Sequence, residues 1–195
     1  MIEISERAGE DEDALLGRMH AEWRAGHLAR PLALVGFMGA GKSSLGREIA
    51  GRLERPFHDT DEEVERRGGR AIADYFAAGE APRFRALEAE VVRELASGPP
   101  AVLSLGGGAL LDPVSRALLL ERCFVVHLFV SWPEVRAALP ALRGTRPNLQ
   151  GRTETEVHEL YLARLQTYRG AHLRIDAPRT SVAEAAEHVL AVGLR

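Results

Sequence analysis

The stretch Gly36-Phe37-Met38-Gly39-Ala40-Gly41-Lys42-Ser43 constrains this chain more than any other segment. It follows the apolar run Leu32 to Gly36 and leads into a helical pattern from Lys42 to about Leu53. A strand that turns through glycines into a helix brings several backbone N–H groups together at the positive end of the helix dipole. That arrangement is a cradle for phosphate. Gly39, Ala40 and Gly41 are expected to offer their N–H groups, and Lys42 a mobile charge for the β- and γ-phosphates. Ser43 offers a hydroxyl to Mg²⁺, and Ser44 stands beside it to contact phosphate. ATP with Mg²⁺ is therefore the expected ligand. The plain alternative, a glycine-rich turn that binds nothing, fits poorly with eight matched positions flanked by a strand and a helix. Lys42 is also the single lysine in a chain whose other basic residues are all arginine. A position that keeps lysine against that bias is a place to look for chemistry, because the two side chains are not interchangeable.

Around this segment the apolar pattern alternates between two periods. Short strand-like runs occur at Leu32–Gly36, near Phe57-His58-Asp59, at Val102–Leu105, at Phe124–Val130 and at Leu173–Asp176, the last read as an edge strand. Helical patterns lie between them: after Asp61, at Ala71–Ala78, Phe84–Ser97 and Val114–Glu121, from Pro133-Glu134 onward, at Glu154–Arg169 and at Val182–Val192. Gly144 to Gly151 reads as a polar loop. Strands alternating with helices predict an α/β fold, a three-layer sandwich with a parallel five-stranded sheet and helices on both faces. Residues 31–195 are expected to form this domain. Residues 1–30 form an N-terminal extension in which Leu15, Met19 and Trp23 recur every four residues, as in one amphipathic helix ending at Gly26.

A length of 195 residues suits one such domain with a full core. The net charge of -3 gives no basic field for nucleic acid, so an anion must be caught by local clusters. One cysteine, Cys123, rules out a disulfide framework within the chain and fits a reducing compartment. It lies in an apolar run too short to span a bilayer and reads as a core thiol. With an acidic N-terminus that lacks a secretion-signal pattern, the expectation is a cytoplasmic protein with no membrane or nucleic-acid partner. A monomer is expected, with pairing through the N-terminal helix as the route to a dimer.

Four further features must choose the acceptor. Asp59-Thr60-Asp61 lies at the carboxyl end of the second strand, where α/β sheets place ligands. Its carboxylates suit hydrated Mg²⁺ and an acceptor hydroxyl, or else Thr60 or Asp61 simply caps a helix. Arg85 has Glu88 three residues on, which holds the guanidinium in place or forms an ordinary surface pair. Gly106, Gly107 and Gly108 end a buried strand and remove every side chain where backbone could approach a ligand. Arg146-Pro147 sits in the polar loop, and Tyr168-Arg169 closes the next helix.

Taken together, these residues resemble the shikimate kinase family. The resemblance runs from about Leu32 to the C-terminus and rests on 36–43, Asp-Thr-Asp at 59–61, Phe-Arg-x-x-Glu at 84–88, Leu-Ser-Leu-Gly-Gly-Gly at 103–108, Arg-Pro at 146–147 and Tyr-Arg at 168–169. It implies a P-loop kinase with a mobile lid that converts shikimate and ATP into 3-phosphoshikimate and ADP, a step toward chorismate. Lys42, Asp61 and Arg146 would then be catalytic, with Arg146 reaching the phosphates from the lid. Ser43 would ligate Mg²⁺ directly and Asp59 through water. Asp61 would hydrogen-bond the acceptor hydroxyl, while Arg85 and Arg169 bind the substrate carboxylate and Gly106, Gly107 and Gly108 line its ring. Two other readings share the cradle: a kinase for another hydroxy acid such as gluconate, and a non-catalytic acid sensor of the same fold.

Overall fold

The computed structural model describes residues 30–145, 149 and 151–193. The expected N-terminal helix and Arg146 with Pro147 lie outside the described residues.

Strand β1 (Leu32–Gly36) is buried at every position, as an apolar run must be when it has a strand on either side and helices above and below. The sheet is parallel throughout and ordered β2-β3-β1-β4-β5, with β2 at Phe57–Asp59, β3 at Val102–Ser104, β4 at Phe124–Phe129 and β5 at Leu173–Asp176. Alternate side chains of β1 divide between two cores. Leu32 and Leu34 join Leu45, Ile49 and Leu53 of helix α1 (Lys42–Leu53) and Ala186, Val189 and Leu190 of helix α8 (Val182–Gly193). Ala33 and Val35 join Val92 and Ala96 of helix α4 (Ala81–Ser97) and Leu119 of helix α5 (Pro113–Arg122). The three layers expected from the alternating pattern are thus present, each face burying its own apolar stripe.

Helices α2 (Thr60–Gly68), α3 (Ile72–Ala77), α6 (Trp132–Thr145) and α7 (Glu154–Tyr168) complete the described elements. Val64, Tyr75, Phe84 and Val91 form a small satellite core that fastens α2 and α3 to α4. Helix α6 runs through Pro140 and on to Thr145, past the point at which Gly144 suggested a loop. Its buried Val135 and Leu139 share a cluster with Leu149, Val157, Tyr161 and the cradle's own Phe37, and that packing outweighs the local propensity of a proline and a glycine.

The helices that leave β1 and β3 pack on opposite faces of the sheet, although the two strands are neighbours. Such a reversal opens a crevice beyond the carboxyl ends of the strands. The glycine-rich turn after β1 and the three glycines after β3 both sit at this crevice. Cys123, fully buried in the second core, has its thiol pushed up to about 12 by desolvation, consistent with a structural role.

Candidate active site

The cradle is built on two left-handed residues. Gly39 at φ 79° and Gly41 at φ 84° take backbone angles that cost an L side chain energy, and Gly41 caps helix α1. Lys42 donates from Nζ to the carbonyls of Gly36 at 3.0 Å and Phe37 at 3.4 Å, so its ammonium lies along the loop. Ser43 is half-buried on the first turn, and Ser44 beside it is exposed.

Across the crevice, Asp59 is a hub rather than a plain helix end. Its Oδ1 accepts from the backbone N–H of Asp61 at 3.1 Å, which caps α2, and its Oδ2 accepts from Ser43 Oγ at 2.8 Å. The helix begins at Thr60, two residues earlier than the start after Asp61 expected from sequence, with Asp59 as its cap. Ser104 Oγ lies 3.3 Å from Ser43 Oγ. A hydroxyl and a carboxylate, hard oxygen donors side by side at the lip of the cradle, suit Mg²⁺. That ion takes one or two protein ligands and completes its shell with phosphate oxygens and water.

A cleft of about 500 Å³ opens from this point. Lys42, Ser43 and Asp59 line its nucleotide side, and Asp61, Arg85, Glu88, Gly107, Gly108 and Arg164 line the acceptor side. Arg85 Nη1 donates to Glu88 Oε2 at 2.5 Å, and the Glu88 side chain is only 6 % exposed. The i,i+3 pair is therefore buried on its acidic side and fixes the guanidinium from beneath. It is not the surface pair that its spacing alone allowed.

Arg169, expected to share the acid with Arg85, is not in the cleft. It stands exposed at the C-terminal cap of α7 and is absent from the lining residues. Arg164 takes the place expected of it. Helix α7 is pinned at two points: Tyr161 donates to the carbonyl of Val130 at 3.0 Å and meets Phe37 edge-on at 5.4 Å, and Tyr168 donates to the carbonyl of Gly107 at 3.2 Å. Arg164 lies between these anchors on the same face, with 8 % of its surface exposed. Its Nη1 is buried and finds no hydrogen-bond partner among the described residues. Burial pulls its pKa below the ordinary guanidinium value; Tyr168 and Glu88 oppose that shift and Arg85 adds to it. Two guanidinium groups and one carboxylate leave one positive charge at this end of the cleft, the complement of an organic acid.

A signal for Arg164 was present in the chain. Val157, Tyr161, Arg164 and Tyr168 form the buried stripe of α7, so an arginine occupies an apolar position of an amphipathic helix. Such a residue is costly to bury unless it serves an anion.

The glycine arm after β3 is in close contact with both acceptor-side groups. A Cβ placed on Gly106 would come within 2.3 Å of Asp61 Oδ1, and one on Gly108 within 2.2 Å of Arg85 Nη1. Gly107 has open space where its Cβ would be. Close approach, rather than unusual backbone angles, is what the glycines at 106 and 108 supply.

The five-stranded parallel sheet, the cradle at its switch point and a cleft that leads from phosphate donors to a cationic pocket define a P-loop kinase for a small acidic acceptor. The family model for shikimate kinase matches residues 38–192. A shikimate kinase of Thermus thermophilus is 40% identical over 160 residues, 82% of this chain and 87% of its own length. One from Oceanobacillus iheyensis is 34% identical over 158 residues, 81% of this chain and 86% of its own. The solved structure of shikimate kinase from Acinetobacter baumannii in complex with shikimate aligns with a TM-score of 0.75 at 30% identity, covering 87% of this chain and 96% of that one. The chain belongs to the shikimate kinase family.

Proposed function

We infer that the protein transfers the γ-phosphoryl group of ATP to a hydroxyl of shikimate, giving 3-phosphoshikimate and ADP. The observation that carries this reading is the single cleft in which the cradle of Lys42 and Ser43 faces Asp61 on one wall and Arg85 with Arg164 on the other. The acceptor oxygen forms a bond to the γ-phosphorus while the bond from that phosphorus to the β–γ bridging oxygen breaks. The electron pair of the broken bond stays on ADP. Such a reaction asks a protein for in-line positioning and for neutralisation of charge, with little covalent work.

Each side chain answers one of these needs. Lys42 is placed to swing from the loop carbonyls onto the phosphates and stabilise charge as it moves to the leaving group. Arg85, held by Glu88, and Arg164, carrying an unused buried N–H, grip the acid's carboxylate and so aim its hydroxyl. Asp61 accepts a hydrogen bond from that hydroxyl and takes its proton as the new bond forms. Mg²⁺ would be held by Ser43 and Asp59, and when bound it supplies positive charge to the phosphate oxygens. Arg146 is proposed to add a second cation from the lid. Cytoplasm is the location proposed, since a single cysteine leaves the chain without a disulfide of its own.

A coupled assay for ADP release with Mg·ATP and either shikimate, quinate or gluconate tests the assignment. Turnover is expected with shikimate well above the other two acids. Lys42→Ala, Asp61→Ala and Arg146→Ala should each lower it at least about tenfold, the effect of losing a transition-state contact of about 1.4 kcal/mol. Preference for gluconate would reassign the acceptor, and acid binding without turnover would make the protein a sensor.

A further inference from the structure

We propose that Thr60 and Tyr168 are positioning residues: their buried hydroxyls clamp the glycine arm at Gly106 and Gly107 and thereby set where the acceptor acid sits. This rests on the shikimate kinase reading above and deepens it.

Thr60 lies between the two aspartates of the second strand's end, is fully buried, and bonds to the glycine arm. Its Oγ1 accepts from the N–H of Gly106 at 2.8 Å and donates to the carbonyl of Ser104 at 3.4 Å. The β2–β3 ladder ends at Asp59 opposite Ser104, so Thr60 extends the tie between the strands one residue beyond the ladder. Tyr168 is 3 % exposed and donates to the carbonyl of Gly107 at 3.2 Å from a different helix. Desolvation pushes its pKa up to about 12, so the phenol keeps the proton that it donates at every working pH. Consecutive residues of the arm are thus held by hydroxyls from α2 and α7.

A Cβ at Gly106 would collide with Asp61 and one at Gly108 with Arg85, so the arm runs close beside both side chains. A shift of the arm by a fraction of an ångström moves the hydroxyl-binding and carboxylate-binding groups relative to each other. Site geometry must be held to about 0.5 Å for full turnover. Neither hydroxyl touches the phosphate cradle, so the effect should fall on the acid and not on ATP.

The experiment measures steady-state kinetics with shikimate and ATP varied independently, together with thermal unfolding, for Thr60→Val, Thr60→Ser and Tyr168→Phe. Thr60→Val keeps the shape and removes the hydroxyl. It leaves the Gly106 N–H without its partner, which is the costly half of a broken hydrogen bond. Thr60→Val and Tyr168→Phe are expected to raise the shikimate KM at least about fivefold with the ATP KM within about twofold of the parent, while Thr60→Ser restores the parent value. Unchanged shikimate constants in both deletions would overturn the clamp, whatever happens to Tm. Equal losses toward both substrates would overturn it too, since that is general loosening. Should Thr60→Val fail to fold, Tyr168→Phe decides by the same criterion. A parent enzyme inactive with shikimate sinks the functional reading instead, and the clamp is then judged with the acid that it does phosphorylate.

Discussion

Arg164 and Arg169 are five residues apart in one amphipathic turn-and-a-half of chain, yet one is buried against the cleft and the other is in solvent. The difference lies in which face of α7 the anchors at Tyr161 and Tyr168 turn inward. Guanidinium groups meet a carboxylate with parallel hydrogen bonds that an ammonium cannot reproduce. Arg85→Lys and Arg164→Lys are therefore expected to raise the KM for the acid at least about tenfold with the ATP KM little changed, whereas Arg169→Ala stays within about twofold of the parent. Initial-rate measurements against shikimate check all three. An effect of Arg169→Ala as large as that of Arg164→Lys would restore the pairing expected from sequence.

At the scale of elements, the glycine arm, the cap of α2 and helix α4 meet at one corner of the sheet. Gly106→Ala drives a methyl group into Asp61 and should lower kcat at least about tenfold, because the acceptor hydroxyl loses its aim. Gly108→Ala displaces the Arg85 guanidinium and should appear mainly in the KM for the acid. Gly107→Ala meets nothing and is expected to stay within about threefold of the parent. Kinetics on the three variants, with circular dichroism to confirm the fold, separate close approach from backbone freedom; three equal losses would refute the steric account. The arm was readable as a triplet of glycines, but which two of them matter was not. That depends on where the carboxylate of α2 and the guanidinium of α4 arrive, and each is more than twenty residues away in the chain.

Across the whole molecule, two cores clamp one sheet, and His127 of β4 is buried at the edge of the second, 4.9 Å from Tyr168 and 6.0 Å from Phe129 between ring centres. Burial, aided by Arg174, lowers its pKa from 6.5 to about 4. The unfolded chain therefore binds this proton more tightly than the native one. The native advantage is complete above pH 6.5 and is lost as pH falls through about 4, a difference of roughly 3 kcal/mol. Urea unfolding between pH 7 and pH 4 is expected to show that decline, and His127→Leu should flatten it. An equal slope in the variant would mean that the histidine is not desolvated.

Much of this could be read from the chain because neighbouring residues carry it. The cradle from Gly36 to Ser43 holds its own turn, charge and hydroxyl within eight positions, and the alternation of strand and helix needs only local periodicity to predict the layers. The length of α6 and the start of α2 differ from the local pattern because packing at Leu139 and a cap from Asp59 override local signals.

Sequence by itself thus determined the fold class and the phosphate cradle, since each is written in residues adjacent along the chain, and it pointed to the acceptor through the joint order of short motifs spread from 59 to 169. Only the tertiary structure decided which arginine joins Arg85, why Gly106 and Gly108 must lack side chains, and that Thr60 and Tyr168 tie the arm between them. These are contacts between distant segments, and the rotation of a helix about its own axis is set by what it packs against.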